Sequence, residues 1–483
     1  MRKAHARTKA APIFLATALL TTSSPAISQR MADPATPSLA TTARPLPKLR
    51  EVSPTPIFFG LEAQGIGDPN PFFENGRYYV FYLQNEGRHP WRMSSSSDLS
   101  TWTAPVEVVP VGQAAEPDYW TGSGSVIAES GGAYQIFYTG HRPGAYPQEI
   151  VMVSRAHALD GPWRKAIMPR LAGPPDYDGW DFRDPFVLWN KETRSYWMLL
   201  ASRSIGRASV GLYTSLDLDH WSPAPPLYTE TSPLNLEVPD LFHEDTDWFL
   251  LFSDQRGTSR QTRYLKASAS AGPYAYGPFD ALDGHGFYAG KTAGTGADRL
   301  LFGWIANRRD KRDDTELVWG GDLVAHAVRR TDSGALAVDI ANPVARQFIT
   351  TTRRLSLAAP AGDAIATGTR IIADLTVRPG DKFGVRFSRN GVTVAIAKID
   401  AAAQQARFVV DGRAADAPFV AFPAKAGGRY HLDMLLDPQR GFGILYIDHF
   451  RALSFRFYGL SGTVPQFYAN AGLATLDGEV RTR

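Results

Sequence analysis

Short runs of aromatic and aliphatic residues recur along the first two thirds of the chain, at intervals of roughly 50–60 residues. The first run, residues 77–82, follows Asn75-Gly76, and the second, residues 133–138, follows Gly131-Gly132. Three further runs continue the series at residues 195–200, 247–252 and 299–304. Runs of this composition after tight turns are typical of β-strands.

A second pattern follows these runs and supports the same repeat. Acidic and small residues lead to a tryptophan in the segments 97–102, 159–163 and 216–221, and a weaker version ends at Tyr274. Five units of strand, turn, strand and Trp-capped loop predict a five-bladed β-propeller. Helical periodicity is absent here, which disfavours a barrel of alternating strands and helices. A β-sandwich with coincidental similarity is the alternative.

The pattern changes at about residue 350. Strictly alternating segments such as 370–377 and 383–388 then occur without the Trp-capped unit. This alternation predicts a separate antiparallel β-sandwich. We therefore expect an all-β protein, with a propeller over residues 51–345 and a sandwich over residues 346–483.

The beginning of the chain has the pattern of an export signal. Four basic residues within the first nine, an apolar stretch at 10–20 and small residues at 26–28 predict a signal peptide over residues 1–28. A Pro-, Thr- and Ala-rich lead-in at 29–50 follows. No later segment approaches transmembrane length. We therefore expect a secreted or periplasmic protein.

Composition narrows the function classes. The 483 residues are 44% hydrophobic and 12% aromatic, enough for a substantial core. Removal of the predicted signal takes away four basic and no acidic residues, so the net charge changes from +3 to −1 and no nucleic-acid partner is expected. There is no cysteine, which excludes disulfides and thiolate chemistry. No His-rich cluster or Asp-x-Asp calcium loop is recognisable, so we expect no metal site and no cofactor.

Three acidic segments each precede an apolar or aromatic run. They are Gly-Asp-Pro-Asn at 67–70, Phe-Arg-Asp-Pro at 182–185 and Leu-Glu-Val-Pro-Asp at 236–240. Singly, each is as consistent with a turn or a local ion pair as with function. In a propeller, however, the first strand of each blade lines the central channel, so Asp68, Asp184 and Glu237 are expected to converge there. Paired carboxyl groups are the requirement for glycosidic bond hydrolysis.

At these segments the chain resembles glycoside hydrolase family 32, the invertases, levanases, inulinases and related fructosyltransferases. The family signatures Asn-Asp-Pro-Asn-Gly, Arg-Asp-Pro and Glu-Cys-Pro-Asp-Leu-Phe are similar to residues 67–71, 183–185 and 237–242. Residues 120–123 and 81–84 are similar to its Phe-Ser-Gly-Ser and Phe-Tyr-Gln segments. The resemblance covers about residues 57–350.

The resemblance implies a retaining mechanism without a cofactor. Asp68 would be the nucleophile, Glu237 the acid/base, and Asp184 with Arg183 the group that holds sugar hydroxyls and stabilises the transition state. The partner would be a fructose-containing oligo- or polysaccharide: levan, inulin or sucrose. The expected sugar-binding residues are Asn70, Gln84, Trp91, Trp120, Thr121, Arg183 and Trp319, although each of the three tryptophans could equally pack within a blade.

Departures from the family pattern leave the substrate open. Gly67 replaces Asn before the nucleophile, Pro71 replaces Gly, Val238 replaces Cys, and residues 91–93 read Trp-Arg-Met instead of Trp-Gly-His. Hydrolysis is the leading hypothesis. Fructosyl transfer by the same carboxylates, a related arabinanase or xylosidase, and a carbohydrate-binding propeller without activity are the alternatives.

Overall fold

The computed structural model describes residues 64–166, 171, 177–231, 235–254, 260–411 and 417–483, without the side chains of 178–180. The predicted signal peptide and lead-in, and the first residues of the predicted propeller, lie outside this range. The described part is almost entirely β-structure, as the sequence pattern predicts. Among these residues, no helix has both the length and the hydropathy needed to cross a bilayer.

The first twenty strands form antiparallel groups of four. The first ten are β1 (Ile66–Glu74), β2 (Arg77–Gln84), β3 (Trp91–Ser96), β4 (Val106–Val109), β5 (Trp120–Ala128), β6 (Tyr134–His141), β7 (Glu149–Ala156), β8 (Arg164–Ala166), β9 (Tyr177–Asn190) and β10 (Ser195–Ser204). The next ten are β11 (Arg207–Ser215), β12 (Ser222–Thr229), β13 (Leu236–Glu244), β14 (Asp247–Asp254), β15 (Gln261–Ala267), β16 (Ala275–Ala281), β17 (Phe287–Ala293), β18 (Leu300–Arg308), β19 (Leu317–Arg330) and β20 (Leu336–Ile340).

Strands β5–β8, β9–β12 and β13–β16 each form a separate sheet, while β17–β20 and β1–β4 are joined through the pair Ile66–Gly321. The five predicted aromatic runs all lie in the second strand of a group, β2, β6, β10, β14 or β18, which confirms them as strands. The first strands β1, β5, β9, β13 and β17 contact one another in cyclic order within the described residues. Their inner ends therefore meet around one centre.

Two of the repeated acidic loops, at residues 96–101 and 215–220, form the same turn. Ser96 Oγ accepts a hydrogen bond from Leu99 N, and Ser215 Oγ accepts one from Leu218 N. The following aspartate then caps the turn by accepting two backbone N–H bonds. Asp and Ser favour such local bonds. The recurring Ser-x-Asp-Leu sequence is thus a turn signal and not chemistry.

Every first strand carries a one-residue bulge at the same point. The pairing register shifts between Gly67 and Asn70, Thr121 and Gly124, Arg183 and Phe186, Glu237 and Asp240, and Tyr288 and Lys291. A bulge bends the strand and redirects its side chains. Five equivalent bulges therefore present corresponding residues to the common centre.

The remaining strands form two further sheets. They are β21 (Thr350–Ser356), β22 (Thr369–Val377), β23 (Lys382–Arg389), β24 (Val392–Asp400), β25 (Gln405–Val410), β26 (Phe419–Ala421), β27 (Arg429–Asp437), β28 (Phe442–Ile447), β29 (Arg451–Arg456), β30 (Val464–Ala469) and β31 (Leu473–Thr482). One sheet has the order β21-β31-β22-β27-β28-β29 and the other β26-β25-β24-β23-β30. Buried residues of both sheets share one hydrophobic cluster, consistent with the predicted sandwich.

Helical structure is short. The α-helix α1 (Asn342–Ala345) lies between β20 and β21, and 3₁₀ turns occur at Gly296–Asp298, Arg309–Lys311 and Tyr458–Leu460. The sandwich packs on the first part of the chain, because residues of β28 and β29 belong to the same hydrophobic cluster as β17, β18 and β19. The contact between the two parts is therefore a shared core.

Candidate active site

The bulges of β1, β9 and β13 place the acidic segments at equivalent points. Asp68, Asp184 and Val238 each have a left-handed backbone, with φ of 32°, 58° and 46°, and each precedes a proline. A positive φ in a β-branched residue such as Val238 is strained by roughly 1–3 kcal/mol. The strain is offset here because Val238 is buried and its N–H donates to Asp184 Oδ2 at 3.0 Å.

Asp68, Asp184 and Glu237 line one pocket of about 440 Å³. Its other lining residues are Leu83, His89, Thr121, Gly122, Ser123, Arg183, Val238, Arg260, Tyr288 and Trp319. Residues from all five bulged strands are present. The structure thus brings together three carboxyl groups that are far apart in sequence.

Glu237 is held from two sides. Arg183 Nη2 donates to Glu237 Oε1 at 3.0 Å, and the Tyr288 hydroxyl donates to Oε2 at 2.6 Å. Arg183 is itself fixed, because its Nη1 lies 3.1 Å from Glu149 Oε2 and 2.6 Å from Asp181 Oδ1. Glu237 is therefore a carboxyl group of defined orientation that opens onto the pocket.

Asp184 and Asp68 differ in their contacts. Asp184 is buried, and in addition to the Val238 bond its backbone N–H donates to Thr139 Oγ1 at 2.8 Å. Asp68 is half-buried and receives one long hydrogen bond, from Trp304 Nε1 to Oδ1 at 3.4 Å. Among the described residues, Asp68 thus has the weakest hydrogen bonding of the three carboxyl groups.

The electrostatics of the pocket favour proton sharing near neutral pH. Burial, followed by the charges of Asp184 and Glu237, raises the pKa of Asp68 to about 7. Burial also raises the pKa of Asp184 to about 6, against the opposing charge of Arg183. Like charges in a poorly solvated site cannot all ionise together. Asp68 and Asp184 therefore titrate as an interacting pair within the range useful for acid/base chemistry.

The predicted sugar-binding residues fall into three sets. Thr121, Arg183 and Trp319 line the pocket. Trp120 and Gln84 are not among the lining residues: Trp120 packs against His89 at 5.2 Å between ring centroids, and Gln84 Nε2 contacts Glu86 at 3.5 Å. Asn70 lies buried and donates its amide to the Asp68 carbonyl at 2.8 Å.

The prediction that Trp91 binds sugar is wrong, because Trp91 lies in the core. It is 0% exposed, packs against Tyr138, and donates its Nε1–H to the Gly122 carbonyl at 2.9 Å. Its backbone pairs with Leu83 and Val109 inside the sheet. Trp91 therefore supports the pocket from within the core, and a sugar does not reach it.

The departure at Gly67 has a steric reason. A Cβ atom at this position would lie 2.0 Å from Cη2 of the Trp319 ring. Trp319 also packs near Trp304 and His89, with centroid distances of 6.3 and 4.5 Å. The space that an asparagine side chain would take is occupied here by an aromatic wall beside Asp68.

The sequence reasoning missed Tyr288, Lys291 and Arg260. Tyr288 and Lys291 belong to the fifth bulge, which carries neither an acid nor a proline and so lacks the signature of the other segments. Their position within the repeat was the available signal. Within the described residues, no group of three or more His, Cys, Asp or Glu side chains is arranged to hold a metal ion.

The comparisons agree with this geometry. The family model "Glycosyl hydrolases family 32 N-terminal domain" matches residues 61–328, more than half of the chain. A chain with this match and three convergent carboxyls is of the glycoside hydrolase class, and it belongs to glycosyl hydrolase family 32.

The individual relatives are similar to this chain at low sequence identity. An insoluble β-fructofuranosidase isoenzyme of Arabidopsis thaliana is 25% identical over 57% of this chain and 54% of its own. A levanbiose-producing levanase of Geobacillus stearothermophilus is 29% identical over 45% and 55%. The chain thus spans about half the length of these curated relatives.

Solved structures share the fold at low identity. An exo-inulinase from Aspergillus awamori matches with a TM-score of 0.70 and 16% identity, over 89% of this chain and 98% of that chain. A family 32 β-fructofuranosidase of Bombyx mori matches with a TM-score of 0.68 and 20% identity, over 86% and 90%. At these identities the likeness establishes the fold.

Proposed function

We propose that the protein is a glycosidase that cleaves β-fructofuranosyl linkages in sucrose or in fructans such as levan or inulin, with retention of configuration. The observation that carries the proposal is the convergence of Asp68, Asp184 and Glu237 in one pocket of a family 32 chain. The names of the relatives, β-fructofuranosidase and levanase, support the substrate class.

In the first step, Asp68 attacks the anomeric carbon and Glu237 protonates the departing oxygen. Asp68 suits this role because its carboxylate has a single long hydrogen bond to give up. Positive charge that develops at the anomeric carbon stabilises the ionised form of Asp68, which is the form that attacks. A retaining mechanism requires the two carboxyls to lie about 5–5.5 Å apart.

In the second step, Glu237 deprotonates a water molecule that attacks the fructosyl–Asp68 ester. Arg183 and Tyr288 keep Glu237 in one orientation through both steps, since each binds a different carboxyl oxygen. Asp184 is fixed by the Val238 N–H and provides a carboxylate for sugar hydroxyls. Trp319 provides an apolar face on the Asp68 side of the sugar.

We also propose the finer organisation of the chain. The cyclic contacts and equivalent bulges of β1, β5, β9, β13 and β17 support five blades. A domain boundary near residue 345 is supported by α1 and by the change of sheet after β20. Export to the periplasm or the medium rests on the predicted signal over residues 1–28.

The test is incubation of the purified protein with sucrose, inulin and levan, followed by chromatography of the products. Free fructose, lost in the Glu237→Gln variant, is the expected result. Fructose oligomers would indicate transfer, in which a sugar replaces water in the second step. No turnover of any fructoside would contradict the proposal.

A further inference from the structure

Lys291 is a buried lysine that contacts Asn70, two residues after Asp68. It is 2% exposed and lies in the bulge of β17, at the position equivalent to Asn70 in β1 and Asp240 in β13. Its Nζ lies 2.7 Å from Asn70 Oδ1, 2.5 Å from the Gly124 carbonyl and 3.4 Å from Ser123 Oγ.

These contacts indicate that the Lys291 side chain is protonated. An ammonium group has three donors and no acceptor. Each of the three contacts offers an oxygen acceptor, and Ser123 Oγ donates its own proton to Asn70 Oδ1 at 3.1 Å. The arrangement therefore satisfies a protonated lysine and leaves no position for a neutral amine that would need a donor.

The charges that face Lys291 come from three of the other first strands. Asp68 faces it from β1, Asp184 from β9 and Asp240 from β13, and all three act on it electrostatically. The β5 strand contributes only neutral groups. Arg183, the other buried cation of the site, is already bound to Glu149, Asp181 and Glu237. Lys291 is thus a buried cation linked through Asn70 to the backbone that carries Asp68.

We propose that Lys291 is a positioning residue of the pocket: it fixes the β1 bulge through Asn70, and its charge favours the ionised forms of Asp68 and Asp184. The link to the nucleophile is short, because Asn70 Nδ2 donates to the Asp68 carbonyl at 2.8 Å. As a role in catalysis this inference rests on the proposed function.

The charge is present under working conditions. Burial lowers the pKa of Lys291 to about 8, although the neighbouring aspartates oppose the shift. Lys291 is therefore mainly charged at pH 7 and below. Its charge already opposes the raised pKa of Asp68 and of Asp184. Without it, both carboxyls would bind protons more tightly.

The experiment compares Lys291→Met with the wild type in two measurements. The first is the pH dependence of kcat/KM, in which the acidic limb is expected to move upward by about one pH unit or more, because loss of a neighbouring cation raises a carboxyl pKa. The second is the melting temperature between pH 5 and pH 8. It should fall more steeply with rising pH in the variant, since the carboxyls become costlier to ionise in the folded state.

Two further variants make the result specific. Asn70→Asp places a carboxylate against Lys291 and is expected to move both curves in the same direction at nearly unchanged volume. Arg456→Met removes a different buried cation, bound to Asp322 at 2.8 Å and to the Ile305 carbonyl at 2.7 Å. It is expected to lower the melting temperature by a similar amount at every pH and to leave the acidic limb unchanged.

Unshifted activity and melting curves in both Lys291→Met and Asn70→Asp would overturn the inference. If the wild type turns over no fructoside, the proposed function fails. The melting curves then still decide whether Lys291 sets the ionisation of the acids.

Discussion

Two buried carboxyl sites of this molecule are built from the same kinds of groups and differ in how many of their bonds are satisfied. At the contact with the sandwich, Asp283 accepts from Gly284 N at 2.5 Å, Ser454 N at 2.7 Å, Ser454 Oγ at 2.6 Å and His326 Nε2 at 3.1 Å. With four donors, the hydrogen-bonding capacity of this carboxylate is satisfied within the protein.

Asp68 is the opposite case. It has one long hydrogen bond, from Trp304, and its strongest neighbours are the like charges of Asp184 and Glu237. An enclosed carboxylate with few donors is costly to the folded state. The remaining hydrogen-bonding capacity of Asp68 is available to a ligand. The comparison suggests that a reactive acid is recognised by its missing hydrogen bonds as well as by its burial.

The largest effect is expected from Asp68→Asn. If Asp68 is the nucleophile, kcat should fall by roughly 10³–10⁵-fold, as for loss of a covalent catalytic group. The matched variant Asp283→Asn should instead reduce the free energy of unfolding by about 1–3 kcal/mol, because buried donors lose their acceptor. Its kcat per folded molecule should not change. Steady-state kinetics and denaturant unfolding separate the two, and equal losses of kcat would break the comparison.

Gly67→Asn is expected to have the next largest effect. The new side chain collides with Trp319 and displaces the wall beside Asp68, which should lower kcat/KM by about 10²-fold. Gly76→Asn is the control, because a Cβ there meets open space and asparagine tolerates its φ of 74°. Kinetics on the same fructoside test both. Wild-type kinetics for Gly67→Asn would show that the wall is not required.

Tyr288→Phe should have a smaller effect. It removes the 2.6 Å hydrogen bond to Glu237 while Arg183 still holds the other carboxyl oxygen. We expect kcat to fall about tenfold, the loss of one charge-assisted hydrogen bond. Tyr138→Phe removes a similar buried bond, to Asp118 at 2.9 Å, outside the pocket. An equal decrease in kcat for Tyr138→Phe would show that the effect is structural.

The smallest effect concerns stability and pH. Because the pKa of Asp68 is raised to about 7, the folded state binds its proton more tightly than the unfolded state does. The contribution of Asp68 to stability is therefore present at low pH and is lost as the pH rises through 7. Asp68→Asn should melt roughly 2–4 °C higher than the wild type at pH 8, and at nearly the same temperature at pH 4. A higher melting temperature at pH 4 only would contradict this sign.

The sequence predicts those features of the molecule that recur from one repeat to the next. The aromatic strands recur at roughly 50–60 residues and the acidic segments precede three of them, so the convergence of the acids follows from the repeat. The sequence does not predict that Trp91 is buried, because a tryptophan after a turn has the same local pattern in a core as at the rim of a pocket. Its pairing with Leu83 and Val109 inside the sheet distinguishes the two positions.

Other features depend on contacts that local sequence does not contain. The close packing of Trp319 against Gly67 involves residues some 250 positions apart. Lys291 lies in a bulge without an acid or a proline, so the repeat gives its position but not its contact with Asn70. Packing between repeats, rather than pattern within them, determines these features.

The most direct test of the central claim is to locate the covalent intermediate. A fructoside whose leaving group needs no protonation is mixed with the Glu237→Gln variant, in which hydrolysis of the ester is slow, and the quenched protein is digested and analysed by mass spectrometry. If Asp68 is the nucleophile, one fructosyl unit is added to the peptide that contains Asp68. A fructosyl unit on Asp184, or turnover with inversion of configuration and no adduct, would contradict it.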